Sequence, residues 1–204
     1  MKYSFKRKGR FFEVVYKRKK YLLTPYFYKS LEKLFLENVS LGEIEKNLFS
    51  ILKERVLYIL SLRDRTEKEI KLYLKRLRLE RFERKIIIFL KKLNFLNEKE
   101  FVKKFIEGGK NKRKGPYFIK KKLLEKGLDK NIVEEILNQS YTKDEERKIA
   151  NILARRYLQK TKKPKIKDLA KLANFLKNRG FRLGVIYQII SFYEESNFKG
   201  EGFK

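Results

Sequence analysis

Leu176-Lys177-Asn178-Arg179-Gly180-Phe181, followed by Val185 and Ile186, can be laid over Leu124-Glu125-Lys126-Gly127-Leu128, followed by Ile132 and Val133. In both stretches a glycine stands where an apolar-periodic run ends, with a basic residue before it. A helix C-terminus favours both features, because glycine accepts the left-handed conformation without steric cost and a cation complements the negative end of the dipole. Gly127 and Gly180 are therefore expected at positive φ. A few residues beyond each glycine a new apolar stripe begins, so the chain reads as tandem helices in units of three helices and roughly fifty residues. An earlier copy falls at Tyr73 to Leu93, with Leu77 near the place of the glycine.

Helix starts are equally well marked. Ser40-x-x-Glu43, Thr66-x-x-Glu69 and Thr142-x-x-Glu145 fit the capping box, in which two orphaned backbone donors are satisfied reciprocally. Asn97 and Asp129 stand where simple N-caps belong. Between these signals the apolar spacing is helical: Ile149, Ile152, Leu153 and Tyr157; Leu169, Leu172, Ala173 and Leu176; Val185, Ile186, Ile189, Ile190 and Tyr193. The first segment differs. Tyr3 and Phe5, Phe11 to Tyr16, and Tyr21 to Leu23 alternate with charged turns, as in a hairpin or small three-stranded sheet, before Thr24-Pro25 opens a helix.

The expected fold is thus mainly α, with three tandem three-helix repeats forming an elongated modular array behind a small N-terminal β-hairpin or sheet. Residues 1–24 form the β element, 25–49 linking helices, 50–96 the first repeat, 97–140 the second and 141–204 the third. Repeats that stack only on their neighbours predict that the helical part stays folded without residues 1–40.

Charge dominates the composition: 54 Lys+Arg against 25 Asp+Glu gives a formal +29 over 204 residues. Such a field attracts polyanions, and nucleic acid is the favoured partner class. The plainer explanation is a general lysine bias, but that should bring nearly matching acids. The 42% hydrophobic content, with 17 Phe and 12 Tyr, argues for a buried core and against disorder. The longest apolar stretches, such as Ile86 to Leu90, are far short of a membrane span, and no apolar run of signal-peptide length follows the basic start. With no cysteine, the chain reads as a cytoplasmic protein.

Histidine is absent as well, which removes the usual general base, the histidine triads, thiol nucleophiles and ordinary zinc sites. The acid clusters Glu134-Glu135 and Asp144-Glu145-Glu146 read as surface charge and as a first helical turn complementing the dipole, so no catalytic, cofactor or metal residue is expected. Gly108 to Gly115 superficially resembles a phosphate loop. It follows a helix, lacks the GxxxxGK[ST] spacing, and reads as a flexible basic loop.

Leu93-Asn94-Phe95-Leu96-Asn97-Glu98-Lys99-Glu100-Phe101-Val102, then Gly115-Pro116, Ile119, Leu123, Lys126-Gly127-Leu128 and Ile132, resembles the central signature of RecX proteins. Leu172-Ala173-Asn174-Phe175-Leu176, then Arg179-Gly180-Phe181 and Val185-Ile186, resembles the terminal repeat of that family. Asn94 departs from the family's usual glycine and Asn97 from its aspartate. Asparagine tolerates the left-handed region and caps helices, so both exchanges keep the local physics.

The resemblance implies a non-enzymatic regulator that binds the RecA nucleoprotein filament and inhibits or modulates its recombinase, ATPase and coprotease activity in DNA repair and the SOS response. Its partners would be RecA and, through basic faces, single- or double-stranded DNA, with the chain acting as a monomer away from membranes. The alternative is a stand-alone basic helical DNA- or RNA-binding protein acting without RecA. Between Arg147 and Arg182 thirteen basic residues meet one acid, Asp168. The expected partner-binding residues are Lys112, Arg113, Lys114, Lys120, Lys121, Lys122, Arg155, Arg156, Lys162, Lys163, Lys165, Arg179 and Arg182. Phe175, Tyr157 and Phe181 fall on apolar stripes and are expected in the core.

Overall fold

The computed structural model describes residues 3–16, 19–159, 161 and 164–199, which divide into two compact units, 1–97 and 98–204. The first unit opens with an antiparallel sheet in the order β1 (Tyr3–Lys8), β2 (Phe11–Tyr16), β3 (Lys19–Leu23). Tyr3 lies opposite Tyr16, and Phe12 opposite Leu23. Four helices follow: α1 (Pro25–Leu36), α2 (Leu41–Leu62), α3 (Glu67–Arg76) and, after a 3₁₀ turn, α4 (Glu83–Lys92).

One apolar core serves both the sheet and these helices. Tyr3, Val14 and Leu23 bury one sheet face against Phe27, Leu31 and Phe35 of α1 and against Ile44, Leu48, Leu52 and Val56 of α2. The i, i+4 spacing along α1 and α2 gives each helix a single stripe. The Tyr3 hydroxyl donates to the Val39 carbonyl at 2.8 Å, and Phe12 stacks on Tyr28 with ring centroids 4.2 Å apart. The β element is therefore part of the core of this unit, and α2 runs without a break through residue 50 because its stripe continues across it.

The second unit holds two three-helix groups: α5 (Glu98–Asn111), α6 (Pro116–Glu125) and α7 (Lys130–Ser140), then α8 (Lys143–Leu158), α9 (Ile166–Asn178) and α10 (Leu183–Lys199). Val102, Ile106, Ile119, Leu123, Val133 and Tyr141 centre the first core; Ala150, Leu153, Leu169, Leu172, Leu176, Phe181 and Ile186 centre the other. Ile149 packs against both.

Two of the three predicted capping boxes and the Asp129 cap form as the sequence predicts, and Ser40 makes the first half of its box. Thr66 and Thr142 make complete capping boxes, Ser40 accepts the Glu43 N–H at 3.2 Å, and Asp129 accepts from Asn131 and Ile132. At the C-termini Gly127 and Gly180 take φ of 80° and 84°. The same geometry recurs at Asn38, Arg78, Asn94 and Arg113, each with φ between 52° and 60°. Every one of the six closes its helix with paired bonds of the Schellman type, such as Gly127 N–H to Leu124 O and Leu128 N–H to Leu123 O. In the first repeat the glycine position is thus Arg78, one residue past Leu77, with Leu79 N–H bonded to Leu74 O.

Half of the expected loop from Gly108 to Gly115 is helix. Residues Gly108 to Asn111 complete α5, because the backbone at Gly109 passes close to α6: a Cβ there would stand 2.6 Å from the Ile119 side chain. Only the stretch from Lys112 to Gly115 connects the helices.

Gly180 and Gly115 lie against each other. A Cβ on Gly115 would collide with the Gly180 carbonyl group, and one on Gly180 with the Phe118 backbone. Gly180→Val, which adds forced positive φ to that collision, is expected to cost about 2–5 kcal/mol. Gly108→Ala, mid-helix with open space around it, should instead stabilise by about 0.5–1 kcal/mol. Thermal melts of the two variants shifting in the same direction would contradict this geometry. Deleting residues 1–40 removes Tyr3, Val14, Leu23, Phe27, Leu31 and Phe35 from the first core. At about 1.5–3 kcal/mol each, these side chains contribute as much as a domain's whole stability. Circular dichroism of the truncated chain should show the first unit unfolded and the helices of 98–204 retained.

Candidate nucleic-acid interface

Helices α6 and α9 meet end to end inside the second unit. The first N–H groups of a helix and its last carbonyls lack intrahelical partners. Here the two deficits cancel: Gly115 N–H donates to Arg179 O at 2.8 Å and Tyr117 N–H to Gly180 O at 3.0 Å. The Arg179 guanidinium donates to the Arg113 carbonyl at 3.3 Å and lies 4.9 Å from the Phe175 ring centroid. Burial pushes the Tyr141 hydroxyl well above its ordinary range, which keeps it a donor to Lys114 O at 3.0 Å.

Glu146 completes this junction. Its side chain is fully buried, accepts the Arg182 N–H at 2.6 Å and pairs with the Arg182 guanidinium at 3.3 Å. Its neighbours are engaged too: Asp144 pairs with Arg147 at 3.3 Å, and Glu145 with Lys110 at 3.1 Å. Among the described residues there is no group of three or more acids placed to hold a metal ion.

The expected binding residues divide by what they touch. Arg179 and Arg182 belong to the junction. Lys120 pairs with Glu134 at 2.6 Å and Lys122 with Glu125 at 2.7 Å, and Lys114 lies 4.5 Å from the Phe118 ring centroid. Arg113 is half-buried, while Lys112, Lys121, Arg155, Arg156 and Lys165 are exposed. Lys162 and Lys163 lie outside the described residues. Of the three aromatic residues expected in the core, Phe181 is buried and Phe175 partly so. Tyr157 is 41% exposed, sitting on the outer side of Phe175 with ring centroids 4.9 Å apart.

An open trough runs between α8 and α10. The Thr142 cap sets the register of α8, so that Ala150, Leu153 and Ala154 turn inward while Arg147, Asn151 and Arg155 follow one another at i, i+4 and i+8 along the edge. On α10 Val185, Ile186 and Ile189 turn inward, and Gly184, Gln188 and Phe192 form the facing edge. Two adjoining hollows of about 680 and 410 Å³ share Arg147 and Gln188. Lys148, Arg155 and Tyr193 complete the larger. Burial raises the Tyr193 phenol, partly offset by Arg155, so it stays a neutral donor. The Phe192 ring is 60% exposed and meets Tyr193 edge-on. Of the residues lining the two hollows, Arg155 and Arg182 were expected, and Arg182 is held by Glu146. The i, i+4, i+8 edges were visible in the sequence, but nothing in it paired the two edges.

A sheet followed by successive three-helix units defines a modular, mainly helical protein whose basic surface carries no acid cluster for metal chemistry among the described residues. Comparison narrows the class. The profile of the RecX second three-helix domain matches residues 97–137. The regulatory protein RecX of Streptococcus agalactiae serotype V is 36% identical over 136 residues, covering 66% of this chain and 52% of that protein. RecX of Lactococcus lactis is 32% identical over 158 residues, covering 74% and 58%. The chain thus spans little more than half the length of these relatives. The crystal structure of RecX from Lactobacillus salivarius superposes with a TM-score of 0.64 at 28% identity, over 71% of this chain and 96% of that one. A further RecX crystal structure, 18% identical, shares the fold over 92% of this chain with a TM-score of 0.62. The chain belongs to the RecX family. No helix among the described residues is long and apolar enough to cross a membrane.

Burial raises the Glu146 carboxyl above its ordinary range, against the opposing pull of the Arg182 N–H and guanidinium. A carboxyl raised on folding contributes stability that is complete below its unfolded value of about 4.3 and is lost as pH rises through the folded value. Glu146→Gln removes this titration. The stability of wild type relative to that variant is therefore expected to fall as pH rises above about 4, and a difference that is flat or rises in paired chemical-denaturation curves would reverse the assignment.

Proposed function

We propose that this chain is a non-enzymatic regulator that binds RecA on DNA and restrains its ATP hydrolysis and strand exchange. The observation that carries the reading is the joining of RecX family membership to a formal charge of +29. A nucleoprotein filament is a polyanion with a repeating surface, and a protein with cations on successive helical units gains many weak, salt-sensitive contacts along it. Lys112, Lys121, Arg155, Arg156 and Lys165, exposed on the second unit, are the residues through which it meets phosphate, together with Lys162 and Lys163. A role on RecA filaments implies a protein that acts in the cytoplasm.

The rival reading, a nucleic-acid binder acting without RecA, rests on the same charge and is separated from the first by affinity order. RecA-coated DNA is expected to bind the chain more tightly than the same DNA bare at physiological salt. Titrating the chain into a DNA-dependent RecA ATPase assay should lower the rate, with the inhibition weakening as salt rises from about 50 to 200 mM. An unchanged ATPase rate together with equal affinity for bare DNA would leave the rival standing.

A further inference from the structure

We infer that the trough between α8 and α10 is a binding site for single-stranded nucleic acid, with Arg147, Lys148 and Arg155 on the phosphates and Phe192 against a base. The inference rests on the DNA-contacting reading above and adds to the residues named there, through Arg155, a built site for one strand.

Three features select the ligand. The first is charge: the larger hollow is lined by Arg147, Lys148 and Arg155 and by no acid. Asp144, in the adjoining hollow, pairs with Arg147, but both side chains are more than half exposed, so the pair is weak and a phosphate can take the place of the carboxylate. The second is the pair of amides, Asn151 and Gln188, which offer both donors and acceptors of the kind that base edges present. The third is the ring of Phe192, 60% exposed on the opposite wall. Base stacking on such a ring is sequence-tolerant and adds to electrostatic tracking of the backbone.

An acidic peptide would use the cations alone and has no need of an exposed aromatic face. A duplex keeps its bases paired and stacked inside, so it offers the exposed ring no free base face, whereas a single strand does.

The test is fluorescence anisotropy of the full chain with a fluorescein-labelled oligothymidylate of about 15 nucleotides. A duplex of the same length and poly-glutamate serve as competitors. Phe192→Ala is expected to weaken oligonucleotide binding by about fivefold or more. The Arg147→Ala, Arg155→Ala double variant should lower the slope of log K against log salt by about 1.4, the loss of two single-strand phosphate contacts. Lys103→Ala, an exposed change on α5, controls for net charge, and circular dichroism controls for folding.

Failure of the wild type to bind the oligonucleotide, or wild-type affinity in both groove variants, overturns the site. Competition by poly-glutamate that depends on the two arginines and is indifferent to Phe192 makes the occupant an acidic protein segment, and a duplex that competes as well as the single strand removes the strand preference; each result overturns the proposal. The same variants in the RecA ATPase assay keep the two readings apart. Normal inhibition by a groove variant that has lost no oligonucleotide affinity sinks the site alone, while groove-dependent oligonucleotide binding without any effect on RecA sinks the RecA reading alone.

Discussion

The second unit depends on one exchange of hydrogen bonds, between the donor end of α6 and the acceptor end of α9. Helix termini are the parts of a helix that cannot satisfy themselves, and burying one usually requires side chains or water. Here each end serves the other, and the positive pole of one dipole meets the negative pole of its neighbour. Backbones can come this close only if neither carries a Cβ at the contact, which is why glycine stands at both 115 and 180. The two three-helix groups of this unit are thereby fixed by main-chain bonds and by Ile149, which packs into both cores.

That junction accounts for several of the charges. Arg179 ties its guanidinium to the carbonyls before Gly115, and Arg182 answers the buried Glu146. Lys110 bridges Glu107 and Glu145 with only an eighth of its side chain exposed. A basic residue in this chain is therefore no evidence of a ligand until its neighbours are known. What distinguishes the α8–α10 trough is that Lys148 and Arg155 stand beside amides and an exposed ring along one channel.

Much of the fold was legible because helix ends are local chemistry. A threonine with glutamate three residues on, or a glycine after an apolar run, acts through backbone groups within one turn, and those signals predicted the caps at Thr66, Thr142 and Asp129 and the turns at Gly127 and Gly180. Arg78 and Arg113 were not legible: neither side chain favours positive φ. The turn forms there because Schellman bonds and neighbouring packing outweigh a penalty of about 1–2 kcal/mol. Gly109 misled for the opposite reason, since a glycine required for close approach to Ile119 reads in sequence like one required for a loop. Tyr157 shows the limit of periodicity, because a stripe says which residues share a face and not how far the neighbouring helix covers it.

By itself, then, the sequence determined the helical units, their caps, the positive φ at two glycines and the sign of the field, all of which arise within a few residues or from composition. Only the tertiary structure decided that the sheet shares the first core, that Gly115-Pro116 and Arg179-Gly180-Phe181 are two halves of one interlock, and that Arg147 faces Phe192 across a trough. These facts join residues some 36 to 66 positions apart, through contacts such as Arg182 with Glu146 and Arg179 with Arg113. Such pairings are set by which faces exclude water together, a property of the packed chain that no local window contains.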